Sequence, residues 1–381
     1  MKSKKIMLEM YAAMFWAAFG YIIYSSLVST FITKYGLTIA QTGLIGSCIS
    51  AGQMAVQFFC NPLSKRFNKL QMVLIGVCTS ILAFLIIVVT NAYPLLLFAL
   101  FIDGASVSML NVVICAYISD LYAEKRSSYL NLFHGVYGMG SMLGPVLPTV
   151  LLASGLRWEY GYIAVIAVGL LLVMALFGER KSEYCGGKTD TDAVPFFILF
   201  KNPRIVRICF CTMLCVGFDI VVGTYMATYF EFQLNAVALA GLSVSFYWMG
   251  SAVGRFLYPI FFARFNPKKF LITVNILTAG CLLVGMLLQN PAIMFCMVLL
   301  SGMFAGMNYP MEIGFACEEY PENSISATNA ACFSASVGGV IASLIAGKVI
   351  AVAGYQGMIV QCIVMICCIA VLLATLLEKN K

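Results

Sequence analysis

The chain has 381 residues, of which 10% are charged and 62% are apolar, and its mean hydropathy is +0.95. Soluble domains carry roughly 25% charged residues, so this composition excludes a water-soluble protein and predicts a chain embedded in lipid. The net charge of +7 comes from basic residues in short loops between apolar runs, a distribution that argues against a nucleic-acid partner.

Apolar runs of membrane-spanning length follow one another along the chain. A helix that crosses the hydrocarbon core needs roughly 20 apolar residues. The first run is longer than the apolar part of a signal peptide, which has roughly 7–15 residues, so we interpret it as a spanning helix. Breaks at charged, Pro, Gly and Asn clusters predict twelve helices at about 7–33, 38–63, 69–91, 93–121, 127–153, 160–178, 204–231, 236–262, 269–289, 291–317, 324–351 and 355–377.

Basic residues in the loops indicate the orientation, because Lys and Arg in short loops stay on the cytoplasmic side. Nineteen of the 23 basic residues lie at the two termini, in the central polar segment or in the loops on the same side. Three lie on the opposite side, and Arg255 lies inside the eighth run. We therefore expect a multi-pass protein of the cell (inner or plasma) membrane with both termini in the cytoplasm.

The chain aligns with itself at an offset of 198 residues. The triplet Arg66-Phe67-Asn68 falls on Arg264-Phe265-Asn266. Other matched pairs are Gly52 and Gly250, Gly104 and Gly302, Asp120 and Glu318, Asn131 and Asn329, and Gly140 and Gly338. Repeats with an even number of spans are parallel, related by an axis along the membrane normal, and the substrate binds between them near the bilayer midplane.

This repeat predicts an all-α membrane protein with twelve transmembrane helices in two six-helix bundles, related by a pseudo-two-fold axis along the membrane normal. The expected N-terminal bundle covers residues 1–180 and the C-terminal bundle residues 204–381. Between them, residues 181–203 are expected to form a cytoplasmic linker.

The loop from Asn61 to Lys69 resembles the signature of the major facilitator superfamily between spans two and three. Arg66 and Lys69 match the signature, and residues 259–269 form a second, degenerate copy. The resemblance implies that spans one, four, seven and ten line a central cavity.

A narrower resemblance is to the fucose–proton symporter family and its relatives. Residues 131–140, followed by Gly144-Pro145, are similar to the fifth span of that family. Residues 216–220 with Thr228-Tyr229 are similar to its seventh span, with Asp219 at the acidic position. Val107 stands where the fucose permease has a fourth-span acid. The resemblance implies a substrate of the sugar type.

Three acids lie inside the predicted spans: Asp103 in span four, Asp219 in span seven and Glu312 in span ten. A charge at a helix centre costs roughly 2.5–3.5 kcal/mol on insertion scales, so each acid needs an explanation. We expect these acids to bind substrate or protons, Asp219 above all because it lies nearest the midplane. Structural hydrogen bonds between helices are the alternative.

Other polar residues in the spans are weaker candidates. A contribution to substrate or proton binding is expected from Asn111, Asn308, Gln53, Tyr225 and Trp248. For Arg255, a gate ion pair and a substrate contact remain open, and His134 is interpreted as a structural donor between helices. Fifteen cysteines lie mostly in apolar runs and there is one histidine, so neither a metal site nor a cofactor is expected.

Two loop arginines and a group of small residues have an expected gating or structural role. Arg66 and Arg264 are expected to close the cytoplasmic side by pairing with acids such as Asp120 and Glu318. Gly140, Gly144 and Pro145 form a stretch that lets helices approach closely; a drug-antiporter motif in span five is similar.

These observations favour a secondary active transporter that moves a small solute by alternating access, with proton-coupled uptake of a sugar or related polar metabolite. The alternative is proton-coupled efflux of a drug or metabolite by antiport. An enzyme is disfavoured because the sequence shows no nucleophile–base set, no metal-ligand cluster and no phosphate-binding loop. The expected partners are the solute, protons and the lipid bilayer, with no nucleic acid, and the chain is expected to be a monomer.

Overall fold

The computed structural model describes residues 2–37, 39–144, 146–178 and 194–377, and every regular element in these ranges is helical. Helices suit a lipid-embedded chain because they satisfy their backbone hydrogen bonds internally. The chain forms two compact units: unit 1 comprises Met1–Tyr117 with Val136–Pro195, and unit 2 comprises Ile118–Gly135 with Phe196–Lys381.

The first half of the chain contains eight α-helices within the described ranges. They are α1 (Lys2–Ile22), α2 (Val28–Tyr35), α3 (Ile39–Ser64), α4 (Lys69–Val89), α5 (Tyr93–Leu121), α6 (Arg126–Leu143), α7 (Val146–Ala153) and α8 (Glu159–Gly178). Short 3₁₀ turns at Ile23–Ser26 and Ala123–Lys125 follow α1 and α5. In unit 1, α8 packs against both α1 and α4, and the Trp16 indole on α1 donates to the Val165 carbonyl on α8 at 2.7 Å.

The second half contains seven α-helices in the described residues. They are α9 (Phe196–Leu199), α10 (Pro203–Thr228), α11 (Val237–Leu257), α12 (Pro267–Leu288), α13 (Pro291–Ala305), α14 (Asn308–Glu319) and α15 (Ser324–Leu377). Single π-helical turns at Tyr229–Gln233 and Tyr258–Phe262 extend α10 and α11. Gly354 adopts a left-handed φ of 68° and divides α15 into two helical parts.

Asn-Pro pairs set the start of three helices in unit 2. Asn202, Asn266 and Asn290 are N-caps, and each accepts a hydrogen bond from a backbone N–H in the first turn. In each pair the proline takes the first helical position, where its missing N–H costs no hydrogen bond. Breaking the sequence at these clusters therefore predicted the starts of α10, α12 and α13 to within a few residues.

Eight helical segments among the described residues are long and apolar enough to cross a membrane. They correspond to predicted spans three to seven and nine to twelve, because one 56-residue segment, Pro321–Leu376, contains the last two. The predicted first span is interrupted, since α1 ends at Ile22 and a 3₁₀ turn follows. The chain is thus a multi-pass membrane protein, and the count of twelve stays a prediction.

The matched glycines mark the same helix contacts inside each unit. A methyl group on Gly52 would lie 2.0 Å from the Phe101 carbonyl oxygen, and one on Gly250 would lie 2.1 Å from that of Leu299. Gly52 and Gly250 differ by 198 in position, and so do Phe101 and Leu299. The same relation holds for Gly104 against Ile49 and Gly302 against Tyr247, and for Gly140 against Phe15 and Gly338 against Met213. Each unit therefore uses glycine to bring backbones into contact, as small residues do between helices in lipid.

Candidate functional site

Asp219 lies buried on α10 and accepts a hydrogen bond from the hydroxyl of Tyr247 on α11. Phe218 and Trp248 pack edge-on around the Tyr247 ring, at centroid distances of 6.1 and 5.4 Å. Gly302 faces the Tyr247 backbone from α13 and allows the close approach that buries this tyrosine. Asp219 is thus held by one hydroxyl donor within unit 2.

Glu312 on α14 is fully buried, and neither carboxylate oxygen has a hydrogen-bond partner among the described residues. Asp219 is close enough to interact with it electrostatically. An ionised carboxylate buried without donors is costly. A neutral carboxylic acid satisfies this site far more easily than a charged one, so the arrangement suits a group that gains and loses a proton.

Arg255 on α11 is a buried cation near Asp219. Its guanidinium donates to the Gly306 carbonyl at 2.8 Å and to the His134 carbonyl at 3.1 Å. It also interacts electrostatically with Asp219. The His134 ring packs edge-on against Tyr309 with centroids 5.2 Å apart. Unit 2 therefore places a buried cation near Asp219, and backbone carbonyls fix its position.

Asn308 forms a reciprocal amide pair with Asn275 on α12. Asn275 Nδ2 donates to Asn308 Oδ1 at 2.7 Å, and Asn308 Nδ2 donates back to Asn275 Oδ1 at 2.9 Å. Asn275 also donates to the Leu271 carbonyl at 2.8 Å. This pair occupies the Asn308 amide group between α12 and α14, which favours a structural role over the expected contact with solute hydroxyls.

Unit 1 contains its own buried polar group around Asp103 on α5. The Ser80 hydroxyl on α4 donates to Asp103 at 3.1 Å, and the Tyr21 and Tyr24 hydroxyls interact electrostatically with the carboxylate. Gln53 on α3 donates to the Tyr21 hydroxyl at 3.3 Å. A carboxyl, an amide and two phenols are groups that recognise hydroxyls, so this cluster is a second candidate binding region.

Three further candidates remain, and one of them, Trp248, packs against Tyr247. Asn111 is buried on α5 and accepts a weak hydrogen bond from Cys115. Tyr225 and Trp248 are half-buried in unit 2. A methyl group on Gly223 would lie 4.0 Å from the Trp248 indole nitrogen, so Trp248 packs over α10.

The predicted cytoplasmic residues are mostly exposed. Arg66 and Arg264 are exposed, and Arg264 lies over the Phe265 ring at 5.1 Å. Glu318 interacts electrostatically with Arg126 and Lys268. The expected ion pair between Arg264 and Glu318 is not found among the described residues. Asp120 is also exposed.

The small-residue stretch of span five contacts α1. A methyl group on Gly140 would lie 2.5 Å from the Phe15 carbonyl oxygen, and one on Gly144 would lie 2.5 Å from that of Phe19. This is the close helix approach expected of these two glycines. Pro145, the third residue of the stretch, lies outside the described residues.

Sequence reasoning missed Tyr247 and Asn275 as partners of its candidates. Asn275 lies inside predicted span nine and would have been found by treating intramembrane amides like intramembrane acids. Tyr247 gives no such signal, because tyrosine is common among apolar core residues.

The profile of the Major Facilitator Superfamily matches residues 10–330 and 208–381 of the chain. Together these ranges cover nearly the whole sequence. The match agrees with the resemblance of the loop between Asn61 and Lys69 to the superfamily signature.

Comparison with individual proteins gives distant relatives, matched over most of the chain in one case and over about half of it in another. The chain is 19% identical to the "Protein TsgA homolog" of Buchnera aphidicola subsp. Baizongia pistaciae, over 84% of this chain and 82% of that protein. It is 25% identical to a "Putative glucose/galactose transporter" of Helicobacter pylori over 51% of this chain and 53% of that protein. The crystal structure of FucP, the fucose:proton symporter of E. coli, in the outward conformation superimposes with a TM-score of 0.80 at 16% identity, over 97% of this chain and 98% of that one.

Proposed function

The chain belongs to the Major Facilitator Superfamily, and from this premise we propose that it takes up a sugar or related polar metabolite together with protons. It is a membrane-embedded transporter of small solutes with the fold of FucP, and not an enzyme. The proposed refinement concerns the coupling ion, the substrate class and the direction of transport.

The observation that carries proton coupling is the unpartnered Glu312 carboxylate, which interacts electrostatically with Asp219, while Asp219 in turn interacts with Arg255. Ionisable residues inside a membrane are costly and mark ion or proton pathways by default. We assign the principal coupling role to Asp219, because it lies nearest the expected midplane on an expected cavity helix and interacts with both Tyr247 and Arg255.

The sugar assignment is supported by two relatives and by the chemistry of unit 1. FucP is a fucose:proton symporter and the Helicobacter pylori relative is a putative glucose/galactose transporter. In this chain Asp103, Gln53 and Tyr21 combine carboxyl, amide and phenol groups. Such groups bind hydroxyls by donating and accepting hydrogen bonds, so a polyhydroxylated solute is the substrate class we propose.

The proposed architecture has twelve helices in two six-helix bundles, residues 1–180 and 204–381, joined by a cytoplasmic linker at 181–203. We place the monomer in the cell membrane with both termini in the cytoplasm, on the basis of the loop charges. Single cysteines at residue 36 or 155, in a cysteine-free background, should react with an impermeant thiol reagent from outside. External labelling at residue 188 would reverse the orientation.

The coupling role of Asp219 is tested by Asp219→Asn in proteoliposomes. This change keeps the size of the side chain and its acceptor for Tyr247 but removes its exchangeable proton. Accumulation of a labelled sugar driven by an imposed pH gradient should fall at least tenfold. Exchange of labelled for unlabelled sugar at equal pH should persist, because it requires no net proton movement.

Glu312→Gln and Asp103→Asn are the matched comparisons, since each also replaces a buried acid by its amide. Asp219→Asn protein that still accumulates sugar in response to the pH gradient would refute the assignment and transfer the role to Glu312. If the wild-type protein accumulates sugar only when the pH gradient is reversed, this result supports the antiport alternative instead of uptake.

A further inference from the structure

An apolar groove of about 450 Å³ lies on unit 2 between the end of α11 and the first half of α12. Its walls are hydrophobic side chains, including Leu257, Phe262, Leu277, Met303 and Phe304. Leu277 is 44% exposed on its outer edge. In a membrane protein, such an opening faces lipid.

Close packing next to the groove explains how it arises. Gly254 brings α11 against α13, since a methyl group there would lie 1.9 Å from the Met303 carbonyl oxygen. The Phe262 ring in the π-helical turn stacks on Phe270 of α12 with centroids 5.1 Å apart. Backbone contact on one side and a ring stack on the other hold the groove open, because neither wall can collapse into it.

The mouth of the groove is positively charged. Lys269 and Asn266 line it, at the N-terminus of the 22-residue helix α12. A helix N-terminus carries a partial positive charge. The neighbouring cations are engaged: Arg264 lies over Phe265, and Lys268 lies over the Phe315 ring at 5.7 Å. Within the described part of the chain, no acidic side chain pairs with the Lys269 ammonium.

We propose that this groove binds one anionic phospholipid, with its phosphate at Lys269 and an acyl chain against the hydrophobic walls. Charge complementarity selects the headgroup, since basic pockets between membrane helices on the cytoplasmic side bind anionic lipid headgroups. The apolar walls match the acyl chain of the lipid. The site thus suits a phospholipid whose headgroup carries a net negative charge, such as phosphatidylglycerol.

The equivalent loop of unit 1 places its basic residues differently. It keeps the triplet Arg66-Phe67-Asn68 and has Lys69 at the position of Pro267, but the counterparts of Lys268 and Lys269 are Leu70 and Gln71. The Gln71 side chain accepts from the Asn68 backbone N–H in a capping box and is therefore occupied. Exposed Lys65 in this loop serves as an internal control for charge alone.

The test is native mass spectrometry of the full-length protein, released from bilayers with equal amounts of phosphatidylglycerol and phosphatidylcholine. The wild-type protein should retain phosphatidylglycerol in preference to phosphatidylcholine. Lys269→Gln should reduce that preference about fivefold, as expected for about 1 kcal/mol per basic residue near the lipid surface. Lys65→Gln should leave it unchanged.

Leu277→Trp fills the groove and should reduce retention of both lipids. Unchanged melting temperatures for the three variants establish that they fold. Equal loss of preference in Lys65→Gln and Lys269→Gln would overturn the proposal, as would unchanged retention in Leu277→Trp. The measurement requires no transport, so its outcome is independent of the proposed sugar–proton function.

Discussion

The two units share their helix contacts but not their buried charged residues. Inside each unit, glycines at positions related by an offset of 198 meet carbonyl oxygens at positions with the same offset. In unit 1, Gly144 contacts Phe19. At the counterparts in unit 2, a methyl group on Gly217 would lie 2.8 Å from the Cβ atom of Ala342. There the glycine has moved to the opposite helix.

The buried polar residues follow a different rule. The counterparts of Asp219 and Glu312 in unit 1 are Tyr21 and Ile114, and the counterpart of Asp103 in unit 2 is Ser301. Gln57 corresponds to Arg255. Gln57 donates to Ser108 Oγ at 2.6 Å, and Arg255 donates to the Gly306 carbonyl oxygen at 2.8 Å. The acceptor positions 108 and 306 also differ by 198.

This comparison teaches that the repeated part of the structure is backbone packing, whereas the chemistry differs between the units. Backbone contact leaves no room for a side chain, so both copies of a contact need glycine or a very small residue. A polar side chain in a helix interior can be replaced by another residue type more freely. Unit 2 therefore holds the buried acids Asp219 and Glu312 together with Arg255, whereas unit 1 holds Asp103 with a group of phenols.

The largest effect is expected where the shared packing is broken. Gly52→Ala and Gly250→Ala each place a methyl group about 2 Å from a carbonyl oxygen, so the helices must move apart. Overpacking typically costs about 1–3 kcal/mol, and contact with rigid backbone puts both variants at or above the upper end. Both should lower the midpoint of thermal unfolding in detergent by a similar amount, or prevent recovery of folded protein.

Gly280→Ala is the matched control, because nothing lies within 4 Å of the added methyl group on α12. Alanine in a helix interior is favoured over glycine by about 0.5–1 kcal/mol, so this variant should be slightly more stable. Destabilisation by Gly280→Ala equal to that by Gly250→Ala would contradict the packing argument.

A smaller effect is expected from converting a polar contact of unit 2 into its unit 1 counterpart. Asn275 and Asn308 correspond to Val77 and Leu110, which are fully buried. Asn275→Val or Asn308→Leu alone leaves one buried amide without its partner, at a cost of about 1–3 kcal/mol. The double variant removes both amides and should recover most of that loss.

A double-mutant cycle of thermal unfolding measures the coupling between the two asparagines. The expected coupling energy is about 0.6–1.7 kcal/mol, the range known for side-chain hydrogen bonds within membranes. Additive losses in the double variant would show that the reciprocal amide pair contributes nothing, and would restore Asn308 as a candidate solute donor.

Much of the fold was accessible from the sequence because it follows from composition and local rules. Hydropathy and the Asn-Pro helix starts predicted the helical class, and the resemblance of the loop from Asn61 to Lys69 to the family signature indicated the superfamily; both are confirmed. The 198-residue offset between the matched glycines was also visible in the sequence. These features depend on residues close in sequence or on the repeat itself.

The partners of the candidate site could not be obtained in the same way. Tyr247 lies 28 residues from Asp219, and only the packing of α11 on α10 brings its hydroxyl to the carboxylate. The two carbonyls that hold Arg255 lie 51 and 121 residues away. Such contacts depend on helix rotation, which a single sequence does not specify. The roles assigned to Asp219, Glu312 and Asp103 accordingly remain predictions.

The smallest effect is expected at the paired helix starts that follow Arg66 and Arg264. Asn68 accepts from the Gln71 backbone N–H at 2.9 Å, and Asn266 accepts from those of Lys268 and Lys269 at 3.1 Å. Replacing either asparagine by alanine removes the N-cap and should cost about 1 kcal/mol. Hydrogen–deuterium exchange should then be about fivefold faster in the first turn of α4 or α12, and unchanged elsewhere.

The counterparts Gln71 and Lys269 distinguish the two copies. Gln71→Ala should also speed exchange in α4 because it breaks the capping box, whereas Lys269→Ala should leave α12 unaffected. Faster exchange in α12 with Lys269→Ala would show that its ammonium stabilises the helix start, and the difference between the two copies would then be smaller than the structure indicates.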